Sequence, residues 1–342
     1  MKLSIIVPVY NMAADGKLEF CIRSLANQTI DDYEIIAVND ASTDNSLEVL
    51  FALKKEFGDK LKVITYEENL RQGGAKNVGI KASEAEWIAI CDSDDWVAPD
   101  MYEKLFKKQE ETGADVVACD YCLVHEHTFE KGPVAKNNTS DQAGVLDDEK
   151  HKKLLLDSGS MVLKIWKRAM VVDNDLWYPE KMFFEDNVMG PLWLLYCNHF
   201  EKLDETLYYY YQHDTSTVHE TTTSKLHDRM KAMEILMDEA KKRGLYERYK
   251  AEFDYKFAEA YFITTLFSLM QSKTLKGERK AMIEELKNGL NKYVPNFRNN
   301  EYYRSRMGAE EKKLIDMAMA STARFMLYYD ALHLYRRVRY GR

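Results

Sequence analysis

The run LSIIVPVYN at residues 3–11 and its counterpart WIAICDSDDW at residues 87–96 decide the fold. Each is a short β-branched apolar stretch that stops abruptly at polar residues. Working outward, further runs of the same kind are Tyr33–Asn39, Lys62–Thr65 and Asp115–Asp120. Amphipathic helical patterns separate them, over residues 18–27, 46–57, 74–82 and 99–112, the last opened by Pro99 and closed by Gly113. Strand alternating with helix over 120 residues is the pattern of βαβ units. The expected class is α/β, a mostly parallel Rossmann-like sheet flanked by helices.

In such a sheet, ligands sit at the carboxyl ends of the strands. Those positions hold Pro8-Val9-Tyr10-Asn11, then Asn39-Asp40-Ala41-Ser42-Thr43-Asp44, then Asp92-Ser93-Asp94-Asp95. Three carboxylates within four residues repel one another unless a cation or hydrogen-bond donors compensate. Mg²⁺ or Mn²⁺ is the natural compensator, because hard cations take one or two carboxylates together with phosphate oxygens. An isolated acidic turn capping the helix after Pro99 is the plainer alternative.

In order and spacing, LSIIVPVYN, SLANQTIDDYEIIAVNDASTDNS (24–46), NLRQGGAKNVGIKAS (69–83) and WIAICDSDDW resemble the family 2 glycosyltransferases of the GT-A fold. KIWKRAM (164–170), FFEDNVMGPLWL (183–194) and LYYYYQHDTSTV (207–218) continue the resemblance over about the first 220 residues. It implies an inverting, metal-dependent transferase that moves a sugar from a nucleotide diphosphate to an acceptor hydroxyl. It puts Pro8, Val9, Tyr10 and Asn11 at the nucleotide, with Asp40 accepting from a base N–H, as uracil N3–H would supply. Gly74, Lys76, Asp92 and Ser93 join them, Asp92 at the ribose, and Asp94 holds the divalent metal. Lys76 stands where the family commonly has arginine, so bidentate phosphate binding is not expected there. The pair Gly73-Gly74 permits close backbone approach ahead of a helix. Asp95 is expected to cap the following helix.

On the acceptor side, Asp186, beside Glu185, matches the family's general base, and a carboxylate ionised at pH 7 suits that role. The plainer alternative is a helix cap at Asp186 with Glu185 in a salt bridge. His213, Ser216 and His219 lie where the family closes over the diphosphate, as candidate diphosphate or metal contacts. A sugar-phosphate nucleotidyltransferase needs a glycine-rich basic loop after the first strand, and PVYNMAADG is not one. A non-catalytic sugar-nucleotide binder or scaffold should have lost its metal and base carboxylates, and both are present.

The 342 residues are 46% hydrophobic and carry a net charge of −8, which suits a large core and excludes a surface built to neutralise nucleic-acid phosphates. Five scattered cysteines, Cys21, Cys91, Cys119, Cys122 and Cys197, suit reduced thiols, and the pair Cys119 and Cys122 with His125 and His127 makes a poor zinc set, since residues three apart on a strand face opposite sides. Neither the N-terminal apolar run nor the stretch 260–270 is long enough to span a bilayer. The expected location is the cytoplasm. Residues 131–148 are polar and aperiodic and read as a long loop. Beyond residue 222 the pattern turns helical, with an apolar stripe Leu226, Met230, Met233 and Met237 stopped by Gly244. The expected domains are therefore 1–222, the transferase domain, and 223–342, a helical one. In the tail, Arg324, Arg336, Arg337, Arg339 and Arg342 outnumber Asp330, so a peripheral contact at the inner face of the plasma membrane is one expectation. The other expected partners are a nucleotide-sugar donor and a glycan, polyol or lipid-linked acceptor.

Overall fold

The computed structural model describes residues 1–212 and 221–340. The chain divides into two compact units, Met1–Ser216 and Thr217–Arg342.

The first unit is built on one sheet. Strand β1 (Leu3–Val9) is buried at all seven positions. It lies between β2 (Tyr33–Asn39) and β4 (Trp87–Ile90), parallel to both, so Ile5 faces Ile35 on one side and Ala89 on the other. A strand buried on both faces has no polar side to alternate with, and its sequence is a continuous apolar run. Strand β3 (Leu61–Thr65) adds to β2, again parallel. Beyond β4 the sheet becomes mixed, in the order β3-β2-β1-β4-β9-β6-β10-β5. There β9 (Lys164–Lys167) runs antiparallel to both β4 and β6 (Val116–Val124), while β10 (His199–Tyr211) runs parallel to β6 and pairs antiparallel with β5 (Trp96–Val97). The unit is an α/β sheet flanked by helices whose parallel character is concentrated in β1 to β4.

Flanking helices that bear on the site are α1 (Lys17–Ala26), α2 (Ser46–Phe57), α3 (Arg71–Ala82) and α4 (Met101–Thr112). Gly113 ends α4 in the left-handed conformation at φ 72°, which glycine adopts without a Cβ penalty. Residues 131–148 are not one long loop. They contain β7 (Val134–Ala135) against β6, a single 3₁₀ turn Ser140–Gln142, and β8 (Gly144–Val145) against β10. Two-residue strands have no period to read; unpaired backbone groups on a distant strand specify them. After α5 (Asp148–Leu156) and α6 (Arg168–Val172), helix α7 (Asp186–Leu195) precedes β10.

The second unit is helical. Helix α8 (Thr223–Lys242) is capped by the Thr222 hydroxyl, which accepts from the Lys225 N–H at 3.3 Å. It buries Leu226, Met230, Met233 and Met237, and Gly244 follows at φ 70°. Five side chains of the apolar stretch after Ala260, Phe262, Ile263, Leu266, Leu269 and Met270, lie in this unit's core. Among the described residues no helix is long and apolar enough to cross a membrane.

Candidate active site

Strands β1, β2 and β4 are parallel neighbours, so the segments after Val9, Asn39 and Ile90 emerge on one edge. The first two are laced together. The Asn11 N–H donates to Ser42 Oγ at 3.1 Å, the Thr43 N–H to Asn11 Oδ1 at 2.8 Å, and the Ala13 N–H to Asp44 Oδ2 at 3.0 Å. Asn11 and Ala41 take positive φ of 54° and 55°, the left-handed region that residues with a Cβ rarely adopt. Pro8 and Val9 are buried within β1, whereas Tyr10 is 44% exposed at the edge.

Asp40 is buried, and its backbone N–H donates to Val9 O at 2.8 Å. Its Oδ1 accepts from Tyr66 Oη at 2.9 Å and from the Leu70 N–H at 2.7 Å, while its carbonyl accepts from Asn69 Nδ2 at 2.9 Å. Burial raises the Asp40 pKa against the pull of these donors. Tyr66 escapes a reading of the sequence by motif, and Asn69 opens the run NLRQGGAKNVGIKAS without a role assigned to it. The signal for Tyr66 is its position just past β3, the same one that singles out Tyr10.

Three carboxylates, Glu185, Asp92 and Asp186, act on one ammonium, and a fourth, Asp94, acts on Asp92. Lys76, on α3, donates to Glu185 Oε1 at 2.7 Å, with both side chains about 5% exposed. Its charge also acts on Asp92 and Asp186. Burial pushes the Asp92 carboxyl up to about 6; Lys76 opposes this, while Asp94, Glu185 and Asp186 reinforce it. Asp186 is raised by burial first and by Glu185 second, and its Oδ1 accepts from the Asn187 N–H at 2.9 Å. It keeps accessible surface although protein atoms surround it closely, as befits a group in a concave site.

Helix α3 brings these groups together through one face. Positions 73, 76 and 77 meet the segment 178–185 at the i, i+3, i+4 spacing. A Cβ on Gly73 would lie 2.2 Å from Pro179 O, so only glycine lets the segment approach. Asn77 clips it at both ends of its amide, Nδ2 donating to Tyr178 O and Oδ1 accepting from the Tyr178 N–H, each at 2.9 Å.

Three sequence expectations change here. Gly73 and Gly74 lie inside the first turn of α3, which starts at Arg71, and the close approach at Gly73 is by Pro179 of the same chain. The Lys76 ammonium is committed to Glu185, so it screens carboxylates from within. Asp95 caps no helix: it is fully buried, its Oδ2 accepting from Tyr208 Oη at 2.7 Å and its Oδ1 from the Tyr211 N–H at 2.8 Å, and burial drives its pKa well up. Ser93 is buried as well. His213, Ser216 and His219 lie outside the described residues.

Alongside the carboxylates is a cleft of about 400 Å³, lined in part by Asp92, Tyr121, Lys136, Asn137, Ser160 and Tyr210. Among the described residues no three acidic, His or Cys side chains converge closely enough to hold a metal by themselves. The donor set nevertheless fits a divalent cation shared with a diphosphate: Asp92 and Asp94 are hard oxygen donors, and the positive charge of Lys76 acts on Asp92 against three carboxylates that reinforce its protonation.

Residues 4–163 match the family model described as Glycosyl transferase family 2. The chain is 35% identical over 184 residues to EpsH of Bacillus subtilis (strain 168), covering 52% of this chain and 50% of that protein. It is 30% identical over 187 residues to the poly(ribitol-phosphate) beta-N-acetylglucosaminyltransferase TarP of Staphylococcus aureus (strain N315), covering 51% of each. The chain thus spans about half the length of these curated relatives. Among solved structures, S. aureus TarS 1–349 resembles it in fold with a TM-score of 0.72 at 23% identity, over 100% of this chain and 93% of that one. The same protein in complex with UDP-GlcNAc gives a TM-score of 0.71 with the same coverage.

Proposed function

We propose, on the match of residues 4–163 to the glycosyl transferase family 2 model, that the protein transfers a sugar from a UDP-sugar to a hydroxyl of a glycan or cell-surface polymer, with inversion. The observation that carries this reading is the convergence of Asp92, Glu185 and Asp186 on Lys76, with Asp94 acting on Asp92, at the carboxyl edge of the matched sheet. The TarS complex with UDP-GlcNAc supports a UDP-linked donor.

In this mechanism Tyr10 covers the base with its exposed ring, and Asp40, with Tyr66 and Asn69, shapes the base pocket. Asp92 binds the ribose. Asp94, with Asp92 near it, would hold a divalent cation, which would supply charge stabilisation for the leaving diphosphate. Asp186 takes the proton of the acceptor hydroxyl, and its raised affinity for a proton suits a base. Glu185 pairs with Lys76 beside Asp186. His213, Ser216 and His219 remain proposed diphosphate contacts.

Residues 1–222 are proposed to fold as the catalytic domain and residues 223–342 as a helical domain. The last helix, Thr322–Tyr340, exposes Leu327, Leu334 and Val338 among Arg324, Arg336, Arg337 and Arg339. It is proposed to rest on the anionic inner face of the plasma membrane. Vesicle sedimentation should then rise with the fraction of anionic lipid, and equal sedimentation with neutral vesicles would contradict it.

A thermal-shift series of nucleotide sugars with and without Mn²⁺ tests the donor assignment, because a ligand that binds only the folded state raises the melting temperature. UDP-sugars with Mn²⁺ should give the largest shift, and Asp94→Ala should lose the part that depends on the metal. A shift in Asp94→Ala equal to that of the wild type would remove the metal role.

A further inference from the structure

One rim of the 400 Å³ cleft, formed by residues 136–137 and 159–160, is held in place by unusual means. Asn137 ties three segments together: its N–H donates to Asp120 Oδ1 at 2.9 Å, and its Oδ1 accepts from the Ser160 N–H at 2.7 Å. Gly159 sits at φ 64°, and a Cβ there would lie 2.4 Å from Asn137 Oδ1 and 2.8 Å from Asn138 Oδ1. Beneath it, Lys164 is fully buried and its amine donates to two carbonyls, Ser158 O at 3.0 Å and Ser160 O at 2.6 Å. Two buried amide atoms of the same rim, Asn137 Nδ2 and Asn138 Oδ1, have no hydrogen-bond partner. A turn that merely joined two strands would not need a buried lysine amine, a left-handed glycine and two unsatisfied amide atoms.

What this rim presents to the cleft is Lys136. Its side chain is exposed and makes no hydrogen bond or ion pair among the described residues, and its field reaches Asp204, whose carboxylate is already given to Lys202. Next to it, Tyr121 and Tyr210 pack edge to face at 6.3 Å and are both only half-buried. Aromatic faces take the carbon skeleton of a polyol or sugar, and a lysine takes phosphate as a point charge. Asp92 lines the cleft and also belongs to the carboxylate cluster, so a chain lying in the cleft brings its hydroxyls to those carboxylates.

We propose that this rim is the acceptor subsite and that the acceptor is an anionic chain of polyol units joined by phosphodiesters. Lys136 binds a phosphodiester oxygen, Tyr121 and Tyr210 bind the carbon face beside it, and Asn137 and Ser160 hold the rim that selects it. This rests on the transferase reading and names its substrate class.

The test uses the full chain and two independent titrations, UDP with Mn²⁺ and a synthetic ribitol-phosphate oligomer, with a neutral maltooligosaccharide of similar length as comparison. The oligomer should bind the wild type better than the neutral glycan does and weaken with added salt. Lys136→Glu should weaken it by about tenfold or more, Lys136→Arg should retain it, and UDP binding should be the same in all three. Oligomer binding that is unchanged in Lys136→Glu, or no stronger than that of the neutral glycan in the wild type, overturns the acceptor assignment. Loss of UDP binding in the wild type counts against the transferase reading instead, since the oligomer titration is scored separately.

Discussion

At Asp186, burial and the adjacent Glu185 favour the protonated acid, while Lys76 and the Asn187 N–H favour the carboxylate, and the balance lies on the raised side. Asp186→Asn removes the base while keeping the shape and the local amide contact. The expected loss in turnover is roughly 10²- to 10⁴-fold with UDP binding little changed. A residue that only capped α7 would behave otherwise, because asparagine caps helices as well as aspartate does. Steady-state kinetics with a UDP titration separates the two, and near-native turnover would remove Asp186 from the reaction. The carboxylates Asp92, Asp94 and Asp186 are visible in the sequence because each follows an apolar run at a chain position that can be recognised. Their partners are not. Lys76 finds Glu185 across 109 positions and Asp95 finds Tyr208 across 113, and no local pattern encodes such a meeting. A lysine near a glycine pair reads as a phosphate ligand until its partner is seen.

The strands β1 and β2 and the helix α2 begin and end where their apolar patterns do, because burial of an entire element leaves its imprint on consecutive residues. Elements defined by partners are hidden. Helix α3 starts at Arg71, ahead of the glycines, since Gly73 and Gly74 serve packing against Pro179 and Leu70 and do not interrupt the helix. In β9 the apolar pattern begins with Lys164, an odd residue for a fully buried strand position, and burial pushes its ammonium down to about 7. An unfolded chain keeps that lysine protonated up to its ordinary value near 10.5. Between those values the unfolded state binds the extra proton, so stability from this site rises with pH from about 7 upward and is lost as pH falls towards 7. Buried cysteines titrate with the opposite sign at higher pH, since burial raises Cys119 to about 12 while an unfolded thiol ionises earlier. The comparison therefore belongs between about pH 7 and 8.5. Lys164→Met should show a flatter dependence of melting temperature on pH than the wild type over that window, and an equal slope in both would mean that Lys164 stays charged in the folded protein.

For the molecule as a whole, the net charge of −8 is distributed so that the acidic edge of the first unit gathers carboxylates while the last helix gathers arginines. The fold class of the first unit is readable from its first 120 residues. The 400 Å³ cleft is less so, because its lining comes from β6, the segments 136–137 and 159–160, and β10, which are far apart in the chain. The central claim, a UDP-sugar transferase whose carboxylate edge shares a divalent cation with the diphosphate, is tested most directly by calorimetric titration of UDP and GDP into the full chain with Mn²⁺ and again with EDTA. UDP should bind at least about tenfold more tightly than GDP, a difference of roughly 1.4 kcal/mol, and EDTA should remove most of that binding. GDP binding tenfold more tightly than UDP, or UDP binding unchanged in EDTA, would contradict the account.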